Sequence, residues 1–286
     1  MNQSATSTIV SPGHWNQDSE LAVCGQTSHG GRLTAMIDIA RAAGDVTLEY
    51  FGKSDLVFES KSDDSPVTIA DRNAEKKVRE WVAERFPDDA VEGEEFENTA
   101  GKSDYRWVVD PIDGTKSFIC GVPLYSTLLA LQHGDDVIAG AILLPALDEI
   151  LVAVTGCGAW HQRRGGDWVR AQVSKRDALK DVVFVTSQVD SFAERGSAKA
   201  YAELERSTRF TRTWGDGFGY VLLCTGQVDI MVDPMCKVWD VAAAMPVVLE
   251  AGGRFSDWHG RVTARSGDAL GTNGVLHDRV LEILGS

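Results

Sequence analysis

Two amphipathic helices are predicted from the spacing of apolar residues in the first third of the chain. The first repeats apolar side chains at i, i+3, i+4 and i+7, at positions Leu33, Met36, Ile37 and Ala40. This helix is predicted to end near Gly52, because glycine commonly terminates a helix. A second helix is predicted from about Asp71 to Phe86, with its apolar residues again on one face.

The middle of the chain is predicted to form β-strands. Trp107, Val108 and Val109 form a short apolar run, which predicts a buried strand. Three further β-like runs follow, at 126–132, 136–143 and 149–154. Turn residues separate them, so we expect an antiparallel meander.

Helices and strands alternate in the second half. Strands are predicted at 182–185 and 228–232, and helices at 197–206, 216–225, 238–252 and 276–284. Pro246 is expected either to kink the helix that contains it or to mark a later start of that helix. The pattern predicts an α+β fold, in a single domain of two lobes, residues 33–178 and 179–286. Residues 1–32 are polar and are predicted to be a disordered or loosely ordered N-terminal extension.

Composition narrows the possible functions. The 286 residues include 43% hydrophobic residues, enough for a core, and carry a formal net charge of −14. Such an acidic protein lacks the basic face that binds nucleic acid, and no apolar stretch has the length of a membrane span. If it binds a phosphate, a cation has to lie between the two negative groups. Five cysteines without a C-x-x-C pair argue against a zinc knuckle or a disulfide framework and favour the cytoplasm.

The clearest chemical motif directly follows the strand at 107–109. It places two carboxylates three residues apart across a proline turn, followed by glycine and a hydroxyl, and runs Asp110, Pro111, Ile112, Asp113, Gly114, Thr115. Oxygen ligands of this kind suit a hard cation such as Mg²⁺. Gly114 permits close approach of the backbone to a ligand, such as a phosphate oxygen. The alternative is a surface turn with solvated aspartates.

Other acidic residues stand at element boundaries. Glu94 lies in a short acidic run, Asp240 opens an apolar helix, and Asp71 begins another. Each has an ordinary alternative, because acidic runs are often solvated and aspartates often cap helices. Together they suggest a folded pocket rich in carboxylates.

These motifs, in this order, resemble those of the inositol-monophosphatase-like phosphatases, over roughly residues 33–285. The resemblance implies a layered αβαβα sandwich, usually a dimer, that binds two or three Mg²⁺ ions. It implies as metal ligands the side chains of Glu94, Asp110, Asp113 and Asp240 and the backbone carbonyl of Ile112. It also implies that Thr115 and Asp71 orient and deprotonate the attacking water.

Within that family the details resemble the histidinol-phosphate phosphatases, which implies hydrolysis of L-histidinol phosphate in histidine biosynthesis. The residues that carry this likeness follow the first motif at 116–118 and recur at 214–220 and 232–234. A cationic substrate would favour acidic partners such as Asp216 and Asp233. Asp216 could equally cap the helix that it begins. The full predicted substrate site is Glu94, Ile112, Asp113, Gly114, Thr115, Trp214, Gly215, Asp216, Asp233 and Asp240.

Several alternatives remain open from the sequence. The substrate could be an inositol phosphate, fructose bisphosphate or adenosine bisphosphate. More remote alternatives are a metal-independent glycosidase, which also uses paired carboxylates, and a non-catalytic metal-binding protein. The expected partners are a small phosphorylated metabolite and a second copy of the chain, with no nucleic acid and no membrane. A plastid location would follow if the extension were a transit peptide.

Overall fold

The computed structural model describes residues 29–54, 56–60 and 66–285. The predicted N-terminal extension lies outside the described residues up to position 28. His29–Gly31 form a 3₁₀ turn, and the first helix begins at Arg32. Among the described residues, no helix is both long and apolar enough to cross a membrane.

Nine helices are present in the described ranges. They are α1 (Arg32–Leu48), α2 (Ile69–Arg85), α3 (Thr115–Ile119), α4 (Asp190–Glu194), α5 (Ala198–Ser207), α6 (Asp216–Cys224), α7 (Val238–Val241), α8 (Ala244–Glu250) and α9 (His277–Leu284). The helices predicted from Leu33 and from Asp71 are confirmed as α1 and α2. Thr68 caps α2 with its side chain, which explains why the helix begins there.

The larger sheet has seven strands, in the order β3-β4-β5-β6-β7-β8-β9. Their bounds are β3 (Ala90–Gly93), β4 (Tyr105–Asp113), β5 (Ser126–His133), β6 (Asp136–Leu144), β7 (Glu149–Val154), β8 (Gly158–Arg163) and β9 (Val169–Arg170). Only the β3–β4 pair of this sheet is parallel. The predicted meander is confirmed by β5, β6 and β7.

The smaller sheet has five strands, in the order β11-β10-β12-β14-β13. Their bounds are β10 (Val183–Thr186), β11 (Phe210–Arg212), β12 (Ile230–Asp233), β13 (Arg254–Ser256) and β14 (Ala269–Thr272). Strand β10 runs parallel to both β11 and β12. A separate hairpin, β1 (Phe58–Ser60) with β2 (Pro66–Thr68), precedes α2.

Buried apolar residues divide the molecule into five layers. Helices α1 and α2 cover one face of the larger sheet, where Ile39 and Val78 share an apolar cluster with Trp107 of β4. Helices α6 and α8 fill the space between the two sheets. Helices α5 and α9 cover the outer face of the smaller sheet, where Leu204 and Val280 pack. The fold is therefore the predicted α+β arrangement, helix–sheet–helix–sheet–helix.

The helix predicted over 238–252 is instead two helices, α7 and α8. Their junction is pressed against the larger sheet: a Cβ atom placed on Gly140 of β6 would lie 2.1 Å from the carbonyl oxygen of Ala243. Pro246 is the third residue of α8, where its missing N–H costs no helical hydrogen bond. The proline thus lies in the first turn of the second helix.

The cysteines depart from a fully reduced set at one position. In the described part of the chain, Cys120, Cys224 and Cys236 are free, whereas Cys157 is disulfide-bonded. Cys157 lies in the turn between β7 and β8 and packs against the apolar cluster that α1 forms with Trp107. A single disulfide-bonded cysteine among the described residues is not the disulfide framework that the sequence argued against.

Candidate active site

Strand β4 delivers the two aspartates of the main motif into the interior. Asp110 and Asp113 are both buried, and the pairing of β4 with β5 is irregular between them. Asp110 Oδ1 accepts a hydrogen bond from the Ile112 N–H at 3.0 Å, which stabilises the turn. Gly114 follows with a φ of +82°, a left-handed conformation that glycine adopts without strain. These residues are therefore not the solvated aspartates of a surface turn.

Asp113 connects three parts of the fold. Its Oδ2 accepts hydrogen bonds from the Ser126 Oγ, at 2.8 Å, and from the Gly217 backbone N–H. Ser126 begins β5, and Gly217 lies in the first turn of α6. This carboxylate therefore fixes the layer between the sheets relative to the end of β4.

The loop that carries Glu94 is held by a residue that sequence reasoning missed. Glu75, buried in α2, accepts a hydrogen bond from the Glu95 N–H at 2.7 Å and another from Arg79 Nε at 2.8 Å. A Cβ atom on Gly93 would lie only 2.3 Å from Glu75 Oε1, so the loop passes directly over this carboxylate. The position of Glu75 on the buried face of α2 was its one sequence signal.

Asp240 is the third residue of α7. Its Oδ2 accepts a hydrogen bond from the Lys237 N–H at 2.6 Å, which closes the first turn of the helix. The N-cap residue is Lys237, so Asp240 stabilises the helix start without being its cap. One carboxylate oxygen of Asp240 therefore stabilises the helix start, just as one carboxylate oxygen of Asp110 stabilises its turn.

These residues meet at one cavity of about 380 Å³ between the two sheets. Among the predicted site residues, those lining it are Glu94, Asp110, Ile112, Asp113, Gly114, Thr115, Asp216, Asp233 and Asp240. Residues separated by nearly 150 positions in the chain therefore share a single space. Trp214 and Gly215 do not line it: Trp214 is 40% exposed, and Gly215 packs against the backbone of Ser187.

The crowding of carboxylates raises their pKa values. Burial, followed by the neighbouring charges of Glu94 and other acids, raises the pKa of Asp110 well above its usual range. Burial, followed by the charge of Asp216, does the same to the pKa of Asp113. Burial also raises the pKa of Asp240 to about 7. A cation in the cavity would relieve this repulsion.

The donor set fits a hard metal ion in its chemistry. Carboxylate oxygens and a carbonyl oxygen are the ligands that Mg²⁺ binds in proteins. Within the described ranges, no three His, Cys, Asp or Glu side chains already form a compact metal-binding group. The acidic side chains therefore border a common cavity rather than close around one point.

Asp71 lies behind the cavity wall rather than on it. Its Oδ2 accepts hydrogen bonds from the N–H and hydroxyl of Thr68, at 2.8 and 2.6 Å, whereas its Oδ1 is buried with no partner in the described chain. Burial raises the pKa of Asp71. Thr115 donates instead to the Ile112 carbonyl, at 3.1 Å. The two residues of the predicted water-activating pair thus have separate hydrogen bonds.

A second pair of acids, Asp216 and Asp233, borders the same cavity. Asp216 is the first residue of α6 with a φ of +54°, and the N-cap position belongs to Gly215, so the capping alternative is not supported. Asp233 ends β12, and its oxygens accept hydrogen bonds from Ser187 Oγ at 2.9 Å and Tyr220 OH at 2.7 Å. Burial raises the pKa of Asp233 to about 7.

Other cavity residues were not part of the predicted site. Lys116 donates a hydrogen bond to Gln188 Oε1, and this contact joins α3 to the segment after β10. Ser187 and Gln188 come one residue after the predicted strand at 182–185 and directly after β10. The C-terminal end of a parallel strand is a common place for ligand-binding residues, and that signal could have identified both.

A layered α+β fold whose buried carboxylates border one cavity agrees with the class of metal-dependent phosphatases that the sequence motifs resemble. Residues 32–286 match the inositol monophosphatase family, and the chain belongs to that family.

Individual relatives agree with this assignment. The chain is 38% identical to a histidinol-phosphatase of Chlorobaculum parvum over 83% of this chain and 90% of the relative. It is also 38% identical to a histidinol-phosphatase of Streptomyces coelicolor, over 86% of this chain and 94% of the relative. Among solved structures, the Thermotoga maritima IMPase superposes with a TM-score of 0.79 at 32% identity, covering 89% of this chain and 96% of that one.

Proposed function

We propose that this protein is a Mg²⁺-dependent phosphomonoesterase that hydrolyses L-histidinol phosphate to L-histidinol and phosphate, a step of histidine biosynthesis. The observation that carries the proposal is a single cavity bordered by two groups of acids. One group suits metal ions and the other suits the positive charge of the substrate. The relatives named histidinol-phosphatase, at 38% identity over most of the chain, support the same substrate.

The proposed metal ligands are the side chains of Glu94, Asp110, Asp113 and Asp240 and the carbonyl of Ile112, for two or three ions. All five line the cavity, and the raised pKa values of the three aspartates are typical of sites that await a cation. Bound Mg²⁺ would offset the phosphate charge, activate water and stabilise the leaving alkoxide.

The protein's own groups would orient the phosphate and accept the proton. Gly114 and Thr115 line the cavity, and their backbone N–H groups are proposed to hold phosphate oxygens. Asp71 is the proposed general base, because its Oδ1 is buried and unpartnered within the described chain and its pKa is raised. For Thr115 to relay the proton, its hydroxyl would turn from the Ile112 carbonyl towards Asp71.

The proposed contacts for the leaving group border the same cavity, where a Cβ atom on Gly114 would lie 2.8 Å from Asp216 Oδ2. Asp216 and Asp233 would face the ammonium and imidazole of L-histidinol phosphate, since opposite charges favour each other in a partly desolvated cavity. Gly215 would shape the loop that presents Asp216, because it packs directly against Ser187. Trp214, 40% exposed, would lie at the edge of this loop.

The proposal also covers the cellular location, the oligomeric state and the partners of the enzyme. We infer that it works in the cytoplasm as a homodimer on a small phosphorylated metabolite. The net charge of −14 supports the expectation that nucleic acid is not a partner.

A panel of substrates tests the proposal. Phosphate release would be measured with L-histidinol phosphate, inositol 1-phosphate, fructose 1,6-bisphosphate and adenosine 3′,5′-bisphosphate, with Mg²⁺ and with EDTA. We expect the first substrate to give the highest kcat/KM and EDTA to abolish turnover. A Thermotoga maritima relative named fructose-1,6-bisphosphatase/inositol-1-monophosphatase, 32% identical, makes those two activities the second candidates. Turnover that persists in EDTA would refute metal dependence.

A further inference from the structure

Ser187 joins Asp216 and Asp233, the two cavity acids that are not among the proposed metal ligands. It directly follows β10 and lines the cavity. Its Oγ donates a hydrogen bond to Asp233 Oδ1 at 2.9 Å and accepts one from the Asp216 N–H at 2.9 Å. A single hydroxyl therefore contacts both the backbone of one acid and the carboxylate of the other.

The packing around Ser187 leaves the loop before α6 little room to move. A Cβ atom on Gly215 would lie 2.2 Å from the Ser187 backbone nitrogen and 2.3 Å from its Cα. The next residue, Asp216, has a φ of +54°, a conformation that residues other than glycine seldom adopt. The hydrogen bond from the Asp216 N–H to Ser187 holds the backbone in this strained conformation.

Tyr220 completes a closed set of contacts. Its hydroxyl donates to Asp233 Oδ2 at 2.7 Å, and it lies one helical turn after Asp216 on α6. Asp233 is thus held through both oxygens, by Ser187 from β10 and by Tyr220 from α6. The positions of Asp216 and Asp233 are fixed relative to each other through these two hydroxyl groups.

We propose that Ser187 is a positioning residue for substrate selectivity, which fixes Asp216 and Asp233 as one anionic wall facing a cationic leaving group. The proposal rests on the proposed function, because it assumes that the leaving group carries a positive charge. In the described chain, the recorded hydrogen bonds of the Ser187 side chain go to these two aspartates and to none of the proposed metal ligands. Selectivity and phosphate hydrolysis should therefore respond differently to its removal.

The test compares Ser187→Ala with the wild type on a cationic and a neutral substrate. kcat and KM would be measured for L-histidinol phosphate and for glycerol 1-phosphate at saturating Mg²⁺. We expect kcat/KM for L-histidinol phosphate, divided by kcat/KM for glycerol 1-phosphate, to fall about tenfold in this variant. The fall should come chiefly from a higher KM for L-histidinol phosphate, because a hydrogen bond to a charged group is lost. A merely structural role would lower both values together and leave the ratio unchanged.

Thr186→Val is the matched control. It removes the neighbouring hydroxyl, which is buried and has no hydrogen-bond partner in the described chain, so the substrate ratio should stay at the wild-type value. Tyr220→Phe is the second variant, because it loosens Asp233 without touching the Asp216 N–H. Tyr220→Phe should also lower this substrate ratio, but by a smaller factor than Ser187→Ala. If Ser187→Ala does not fold, the result for Tyr220→Phe decides the test.

Two outcomes separate the proposals. A wild-type enzyme without a preference for L-histidinol phosphate would refute the proposed function, and with it the role of Ser187. A wild-type enzyme with that preference, together with folded Ser187→Ala and Tyr220→Phe variants that retain it, would overturn the role of Ser187 alone.

Discussion

At the scale of single residues, the buried aspartates divide their oxygens between the fold and the cavity. The recorded hydrogen bonds of Asp110, Asp113 and Asp240 each involve one carboxylate oxygen, and their donors are mostly backbone N–H groups nearby. These bonds orient the side chains before any ligand arrives. Such preorganisation is what a metal site requires of its surrounding residues.

Substitution of Asp110 by asparagine tests this role. The amide keeps the shape but removes one negative charge, so we expect kcat/KM to fall about 1,000-fold, corresponding to several kcal/mol of transition-state stabilisation. In EDTA at pH 8 the same variant should melt at a higher temperature than the wild type, because the repulsion among buried acids is smaller. Asp135→Asn, at an exposed position, is the control. Near-native turnover with Mg²⁺ would contradict the assignment of Asp110 as a ligand.

Glu75 gives a second prediction at this scale. Its carboxylate holds the Glu95 N–H and Arg79, and so positions the loop that carries Glu94. We expect Glu75→Gln to weaken Mg²⁺ activation about tenfold, since the hydrogen bonds lose their charge, with a smaller effect on kcat at saturating Mg²⁺. A titration of activity against Mg²⁺ concentration measures this. An unchanged midpoint would show that the loop does not depend on Glu75.

At the scale of elements, close backbone contacts determine where α7 and α8 lie. The junction between them touches Gly140 of β6, so the central layer rests directly on the larger sheet. Asp240 belongs to α7, and its distance from β4 therefore depends on this contact. Hydrophobic periodicity predicted a helix here, but the break at residues 242–243 follows from packing against the sheet.

Gly140→Ala should therefore affect both stability and metal binding. The added methyl group would lie 2.1 Å from the Ala243 carbonyl oxygen, a backbone atom that cannot rotate away. We expect the free energy of unfolding to fall by about 1–3 kcal/mol and the Mg²⁺ concentration for half-activation to rise. Gly285→Ala, whose new Cβ would meet its nearest atom at 3.4 Å, is the control for an added methyl group. Wild-type stability of Gly140→Ala would refute the close packing.

His277 attaches α9 to the smaller sheet. Its ring lies between Ser256 Oγ, at 2.9 Å, and Thr272 Oγ1, at 3.0 Å, and burial lowers its pKa to about 4. The stability that comes from keeping this ring neutral is present above pH 6.5, the usual pKa, and is lost as the pH falls towards 4. The melting temperatures of wild type and His277→Gln should therefore converge as the pH is lowered from 7 to 4. A constant difference would contradict the lowered pKa.

At the scale of the whole molecule, this acidic protein buries several carboxyl groups whose charged forms are disfavoured in the metal-free state. Burial and mutual repulsion raise the pKa values of Asp110, Asp113, Asp233 and Asp240, the last two to about 7. A carboxyl group whose pKa is raised on folding binds protons more tightly in the native state than in the unfolded one. Its favourable contribution is present at low pH and is lost as the pH rises through the folded pKa.

The metal-free protein should therefore lose stability from these groups as the pH rises from about 4 to 7, and Mg²⁺ should restore it. We expect the increase in melting temperature caused by Mg²⁺ to grow between pH 5 and pH 8, because metal binding competes with protons for the same oxygens. Thermal denaturation with EDTA and with Mg²⁺ across this range measures the effect. The Asp110→Asn variant should show a smaller increase, and an increase that is independent of pH would exclude the competition.

The sequence by itself determined most of the elements and the chemistry of the site. Periodicity located α1 and α2, which bury one face, whereas nearly continuous apolar runs located the meander, whose strands are buried on both faces. The motif that contains Asp110 and Asp113 was readable because the two aspartates are only three residues apart in the chain. Strands β13 and β14 were not predicted, since they are short and their pairing partners are distant in sequence.

Only the tertiary structure decided which residues share the cavity. It brought Asp240 and Asp216 to the end of β4 and placed Trp214 outside the cavity. It also revealed that Glu75 holds the backbone of the loop with Glu94 and that Ser187 holds the carboxylate of Asp233. Hydrogen bonds between distant segments leave no periodic pattern in a sequence, because each depends on a single pair of atoms brought together by folding. Local patterns therefore specify the elements and the kind of ligands, whereas long-range packing specifies their arrangement.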